Sequence, residues 1–454
     1  MIQGQKYYQL VPEKVFQELF LIEDLIKPRI KGYSRDNLKE VISIVACHIR
    51  RGESSTPLKM IYIKKLVPQG DKYLSGLIDL GIIERSGIAS QKKHICYNYK
   101  FSAEYQSKYL SFPLNNASLI RRIEEAQETF RKEDAKSIRG HSEQTKYLKQ
   151  LTIESNYKSF IESNYTSETD QYNSVLGSAT RIINGDTCRC SIDNTSGRFH
   201  SIITNMAKGL RPYLRIKGEP LTNLDVKNSQ LYLSTIILTN PSKVSWMTEN
   251  PVFALLLQTL KVSQKQDVIN YIQLSVLGQI YEYLMAEFAK EGLILTRAET
   301  KRQVLRILFA RNRMPKDEIN RTCRQIFIKR FPTVHRIFSK VRGSEKGDKF
   351  QNFKRFAILL QRIESYLMLD IILKRIYKEL PGTIAVTVHD SIMTGILTNN
   401  IEAVRKIMID ELTFFVGFEP KIKNELNIED KEEEEERVCV FSNQYSATNL
   451  ETLN

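Results

Sequence analysis

The sequence predicts an α+β protein with more than one domain. Two short runs point to a sheet: residues 384–388 (Ile-Ala-Val-Thr-Val), dominated by β-branched residues and followed by His389 and Asp390, and residues 221–226 (Leu-Thr-Asn-Leu-Asp-Val), which read as a second short strand. Around them lie long stretches with helical periodicity and clear helix starts, such as Thr296 followed by Glu299. At 454 residues and 42% hydrophobic content, the chain can bury two or three cores.

From the N-terminus, residues 37–51 have the helical period, and Thr56-Pro57 reads as a cap with proline at the first helical position. Residues 71–80 form a third helix closed by Gly81. Residues 82–84 and 95–99 read as strands flanking the polar stretch 85–94. Helices followed by such a hairpin resemble a winged helix-turn-helix, here over residues 1–102. In those modules one helix enters the major groove while basic residues of the wing approach phosphates. The resemblance implies DNA contacts from Lys72, at the start of the third helix, and from Lys92 and Lys93 in the wing. The same fold also serves as a protein-docking module, and a lysine-rich tip is often only solvated.

Residues 103–196 carry many charges and hydroxyls. Residues 119–139 read as a long polar helix or a pair of helices, and residues 154–178 are rich in Ser, Thr, Asn and Tyr, partly as a mobile loop.

The strand patterns at 221–226 and 384–390 each deliver a carboxylate, Asp225 and Asp390, to a strand end, and Asn228-Ser229 supplies side-chain oxygens to cap a helix starting at Gln230. Two carboxylates on neighbouring strands repel and stay partly protonated unless a divalent cation lies between them. Mg²⁺ suits that place, because it accepts few carboxylates, keeps waters and takes phosphate oxygens as its remaining ligands; two such ions stabilise the attacking and leaving oxygens of an in-line phosphoryl displacement. A His-Asp pair by itself is an ordinary solvated turn, so a third element has to decide.

That element is residues 296–309. Thr296 and Glu299 form a capping box, after which Arg297, Lys301, Leu305 and Phe309 recur every four residues. The face offers two cations for a triphosphate and an aromatic ring for a base. The plainer reading is a solvated basic helix with Phe309 in the core, and Arg302 and Arg306 are read that way.

A strand Asp, a basic helix with a late aromatic residue and a His-Asp hairpin, in this order, resemble motifs A, B and C of the family A DNA polymerases and the related single-subunit phage-type RNA polymerases, over roughly residues 197–420. The resemblance implies a right-hand fold: a palm with an antiparallel sheet and helical fingers over residues 197–428, a thumb within 103–196, and an acidic tail at 429–454. It implies that Asp225 and Asp390, with the Val226 carbonyl, bind two Mg²⁺ ions, Mn²⁺ serving as a substitute. Arg297 and Lys301 would hold the incoming triphosphate, Phe309 would stack beside base or sugar, and His389 would touch the primer-end phosphate. Gly197-Arg198 resembles the Gly-Arg before motif A whose Arg contacts primer-template. Gln361 resembles a polar helix residue facing the duplex, although a helix-surface glutamine is the plainer reading. Motif A departs from the DNA polymerase form, since Ser229-Gln230 begins four residues after the Asp rather than two. Motif C ends in Ser391, where DNA polymerases carry Glu and the RNA polymerases Ser. Both departures resemble a divergent branch encoded by transposons and viruses.

In this superfamily the position five residues after the motif A Asp selects the sugar, and here it is Gln230, bulky enough to occupy the space of a 2′-hydroxyl. Phe309 stands where the RNA polymerases carry a tyrosine hydroxyl and cannot hydrogen-bond a ribose. Both favour deoxynucleotides. Ser391 and the likeness of residues 297–304 to the RNA polymerase motif B weigh the other way. The expectation is therefore a primer-dependent DNA polymerase that copies a mobile element, plasmid or virus. Its partners would be DNA primer-template and deoxynucleoside triphosphates, with origin DNA held by the N-terminal module. A primase or small RNA polymerase, and a non-catalytic origin-binding protein, stand as alternatives.

The formal net charge of +15 and a pI of 9.3 favour an anionic partner. No apolar run reaches membrane-spanning length and the N-terminus lacks a signal-peptide core, so a cytoplasmic protein of a bacterial cell is expected. The six cysteines lack zinc spacing and are expected as reduced thiols. Residues 251–257 read as a buried helix, Trp246 as packing, residues 417–423 as an edge strand and residues 431–437 as a solvated charge run.

Overall fold

The computed structural model describes residues 7–49, 55–87, 96–138, 140–165, 170–187, 189–249, 251–259, 265–342, 354–397 and 400–424. Helices predominate around antiparallel strands, and the chain divides into two units, residues 1–192 with 200–221 and residues 193–199 with 222–454. This division joins the stretches 1–102 and 103–192 into one unit. The charge run at 431–437 lies outside the described residues.

In the first unit, the strand Tyr7–Pro12 pairs antiparallel with Tyr109–Leu114. Its apolar side chains Leu10 and Val11 are buried with Val41 and Val45 of the helix Arg35–His48, whose start is capped by the Ser34 hydroxyl accepting from the Asn37 N–H at 3.4 Å. A second helix, Asp170–Ile183, lies close against Arg35–His48, and Gly177 permits it: a Cβ there would stand 3.3 Å from the Cys47 Cα. With the helix Tyr157–Asn164, it makes much of the Ser-, Thr-, Asn- and Tyr-rich stretch 154–178, read as partly a mobile loop, helical. The long helix expected at 119–139 is Ala117–Ser137, capped by Asn116.

The expected third helix is Gly70–Asp79, and Gly81 after it has φ +71°. Thr56-Pro57 does not start a helix. These residues pair with Tyr99 and Asn98 as the outer strand of a three-stranded sheet completed by Ile83–Ser86, and the next helix begins at Met60. An edge strand tolerates proline because its missing N–H faces away from the ladder, so strand pairing outweighed the helix-start signal here.

A buried carboxyl lies on the helix Arg35–His48. Glu40 accepts from the Gln9 side-chain amide at 2.9 Å, and burial pushes it up to about 7 from its ordinary 4.5, opposed by that hydrogen bond and reinforced by Asp36. The native state thus holds a proton that the unfolded chain releases. The stability this lends is complete below pH 4.5, drains away as the pH climbs toward 7, and stays lost above. Glu40→Gln should therefore match wild type at pH 4.5 and exceed it at pH 8 by on the order of 2 kcal/mol in urea unfolding. An equal gap at both pH values would refute the assignment.

In the second unit, Ala385–Val388 and Ser391–Gly395 form a hairpin whose second strand lies beside Glu219–Val226, the strand whose final residues 222–226 belong to this unit. Ile422–Asn424 pairs with the same strand, as expected for the edge segment at 417–423. The helix Ser229–Thr239 is apolar around most of its circumference and correspondingly buried. One long helical rod runs as α-helix over Arg355–Ser365, π-helix over Tyr366–Ile372 and α-helix again over Leu373–Glu379. Pro251–Thr259 is helical as expected, yet Leu255 is exposed, and so is Trp246 at 61%, whose ring meets Tyr366 edge-on. Two buried arginines secure the end of the helix Arg297–Phe309 and the loop after it. Arg342 donates to the carbonyls of Ile307, Leu308 and Ala310 and to the Ser339 hydroxyl, while Arg324 donates to those of Arg311, Asn312 and Arg313.

Among the described residues no helix is long and apolar enough to cross a membrane, and Cys47, Cys96, Cys190 and Cys323 are free thiols.

Candidate active site

The acidic pair stands on a strand end and a turn. Asp225 is half-buried one residue before the end of Glu219–Val226 and pairs in register with Lys423. Asp390 falls in the two-residue turn of the hairpin, where Val388 faces Ser391. The sequence reading runs the strand on to Asp390; in the structure it stops at Val388, because His389 takes φ +58°, the left-handed conformation that a tight two-residue hairpin turn uses. The Ser391 hydroxyl closes this turn by donating to the Val388 carbonyl at 2.9 Å. The Val226 N–H points to the Asp390 carbonyl at 3.4 Å, so the two acidic residues lie on adjoining segments of backbone.

The helix after Asp225 starts at Ser229 rather than Gln230, and Asn228 does not cap it through its side chain. Asn228 instead turns left-handed, at φ +55°, as asparagine does more readily than most residues. The turn aims the Ser229 hydroxyl at Asp390, to which it donates.

The residue that organises the site, Glu364, was not among the sequence candidates. Only 2% exposed, it sits on the helix Arg355–Ser365 immediately before the π-helical segment. Its Oε1 accepts from Arg198 Nε at 2.8 Å and lies 2.7 Å from Nη2, while its Oε2 accepts from the Gln230 amide. Burial raises its carboxyl to about 7, the nearby Asp390 charge adds to that, and Arg198 and Gln230 pull the other way. Glu364, Asp390, Ser229 and Val226 line one small pocket with four apolar side chains. A signal was present in the sequence. Phe356, Leu360 and Glu364 recur at four-residue spacing, so the helix period carries an acid onto the buried face.

Arg198 reaches Glu364 from the turn at residues 193–198, where Asp193 accepts from the Thr195 and Ser196 N–H groups and Gly197 has φ +72°. Gln361 is half-buried on the Glu364 helix.

The basic helix is Arg297–Phe309, with both arms of its capping box formed between Thr296 and Glu299. Arg297 is already engaged, donating from Nε to Glu282 Oε1 at 2.6 Å with its guanidinium 5.6 Å from the centre of the Tyr281 ring. Tyr281 packs its ring against this cation. Burial first drives its phenol upward, Arg297 draws it down, and Glu282 and Asp390 both push it further up. Lys301 is exposed, and Arg302 and Arg306 are solvated as expected. Phe309 is half-buried, its ring 6.1 Å from that of Phe356.

In the first unit, Lys72 is exposed and reaches Gln69 Oε1 at 3.1 Å, while Lys92 and Lys93 lie outside the described residues. Among the described residues, no group of three or more His, Cys, Asp or Glu side chains is arranged to hold a metal ion by itself.

No protein-family model matches the chain, and no curated protein matches it. Among solved structures it is similar to the POL domain of Pol1 from M. smegmatis, in a complex with DNA primer-template and dNTP, at a TM-score of 0.28 and 12% identity. The match covers 66% of this chain and 65% of that one, so the chain spans less than two thirds of its neighbour's length. With a likeness this remote, the chemistry has to be read from the side chains.

Proposed function

We propose that this protein is a template-directed nucleotidyltransferase, a primer-dependent DNA polymerase in which Asp225 and Asp390 are the catalytic carboxylates. The observation that carries the reading is the convergence at Asp390: the Val226 N–H meets its carbonyl, the Ser229 hydroxyl meets its carboxylate, and Tyr281 and Glu364 respond to its charge. Asp225 comes from the strand Glu219–Val226 and Asp390 from the turn of the neighbouring hairpin.

The donor set suits Mg²⁺, which needs only one or two protein carboxylates and completes its octahedron with water and substrate phosphate. Asp225 and Asp390, with the Val226 carbonyl, would hold it, Mn²⁺ substituting. Bound there, the ions would neutralise charge on the transferring phosphoryl group. Lys301 and Arg297 would meet the triphosphate, and since Arg297 is paired with Glu282, its contact requires that pair to open. Phe309 would flank the base or sugar, and His389 and Arg198 would lie along the primer-template. On this reading the second unit is palm and fingers, the helices within 103–196 act as thumb, and the polymerase belongs to a family A-like branch.

The N-terminal order of helix, short strand, two helices and hairpin supports a winged-helix module, with exposed Lys72 at the start of its last helix. Origin DNA is the partner proposed for it.

The reading is tested by offering a labelled primer-template, Mg²⁺ and either deoxy- or ribonucleoside triphosphates to the full chain. Extension of the primer to the template's end with deoxynucleotides is expected. Synthesis from ribonucleotides without a primer would favour the primase reading instead. Gln230→Gly should raise the use of ribonucleotides relative to deoxynucleotides roughly tenfold, since a cleared space no longer rejects the 2′-hydroxyl. An unchanged ratio in the same assay would count against Gln230 as the discriminating side chain.

A further inference from the structure

We infer that Glu364 is a positioning residue for sugar selection, which holds the Gln230 side chain in one rotamer while being anchored itself by Arg198. The inference rests on the polymerase reading above and concerns a residue that no sequence motif picked out.

The two carboxylate oxygens have separate tasks. Oε1 takes both Arg198 contacts, at 2.8 and 2.7 Å, and Oε2 takes the Gln230 amide. Arg198 follows a short loop in which Gly197 takes φ +72°, a conformation that favours glycine, and the loop sits against the Glu364 helix, since a Cβ on Gly197 would stand in ordinary contact, 3.6 Å, with that of Ser365. A carboxylate 2% exposed and close to the Asp390 charge is an expensive thing to keep, and a leucine would fill the same space without that cost. Its two partners give it a use. A free glutamine side chain populates many rotamers and swings away from an intruding hydroxyl, whereas one tethered by its amide to a buried carboxyl that Arg198 also holds cannot yield. Discrimination at Gln230 therefore depends on a residue that touches neither nucleotide nor metal.

The test measures the ratio of kcat/KM for deoxynucleotide over ribonucleotide in primer extension by wild type, Glu364→Gln, Glu364→Asp, Gln230→Ala and the double variant Gln230→Ala/Glu364→Gln. Glu364→Gln presents an amide where two donors need an acceptor, so the ratio should fall roughly tenfold, mainly through a lower KM for the ribonucleotide. Glu364→Asp, which keeps the charge on a shorter arm, should fall between. In the Gln230→Ala background, Glu364→Gln should change the ratio no further, an outcome that a merely structural role would not produce. If Glu364→Gln fails to fold, as judged by circular dichroism, Glu364→Asp carries the comparison. A ratio within about twofold of wild type in the folded variants, or an equal shift with and without Gln230, overturns the inference and leaves the polymerase reading intact. A wild-type chain that extends no primer overturns both.

Discussion

Asp390→Asn will lower Mg²⁺-dependent primer extension by about 10³-fold or more while leaving the fold in place. Asparagine has the same shape and still offers an oxygen to the Ser229 hydroxyl, so the contact made by Ser229 survives. What disappears is the negative charge. On the proposed reading, Asp225 would be the one carboxylate left to hold Mg²⁺, and the charge on the transferring phosphoryl group would be less well neutralised. Removing that charge also relieves Glu364, whose carboxyl is raised in part by Asp390, so a small gain in stability should accompany the loss of activity. Single-turnover extension alongside urea unfolding separates the two effects. A variant that kept more than a tenth of the wild-type rate would end the assignment of Asp390 to catalysis.

Arg342→Met should cost the second unit about 3–5 kcal/mol, the largest effect on stability expected here. Arg342 is fully buried and donates to three main-chain carbonyls and one hydroxyl. Burial, with Arg324 nearby, lowers the guanidinium to about 10, which leaves it charged at neutral pH. It sits where the carbonyls of the Arg297–Phe309 helix end, so the helix dipole offsets part of the desolvation that a carboxylate would otherwise answer. Methionine fills much of the volume but donates nothing, and several buried acceptors lose their partner together. The urea transition of the second unit should shift to lower concentration, and the helix carrying Lys301 should lose amide protection first. A midpoint unchanged within error would show that water replaces the guanidinium without cost.

The parts of this molecule legible in the sequence are those set by local chemistry. The Thr296–Glu299 capping box needs only residues three apart, and it appears with both arms made. The strand before Asp390 follows from β-branched alternation, and Gly81 ends its helix because it can adopt positive φ. Readings that rest on what a side chain does far from its own segment fared differently. Thr56-Pro57 carries a helix-start signal, but its strand partner lies some forty residues on. Asn228-Ser229 looks like a cap until the hydroxyl finds Asp390, 161 residues away. Glu364 joins Arg198 and Gln230 across separations of 166 and 134 residues, which no local pattern encodes. Arg297 reads as a free cation until Glu282 is seen beside it. Trp246, read as packing, is 61% exposed and packs edge-on against Tyr366.

The π-helical stretch at Tyr366–Ile372 has a consequence for how this chain can change. Each residue of an α-helix advances about 100° around the axis, and a wider turn absorbs one extra residue without altering the rod's direction. Deleting a single amino acid there would let the rod wind as continuous α-helix with its ends still joined. Because the wider turn already absorbs that residue, the two sides of the rod would keep nearly their present bearing, whereas a deletion within Leu373–Glu379 would turn Glu364 by about 100° relative to everything downstream, off the bearing on which Arg198 and Gln230 meet it. One-residue length changes in this rod should therefore be tolerated within Tyr366–Ile372 more readily than in the α-helical segment that follows it.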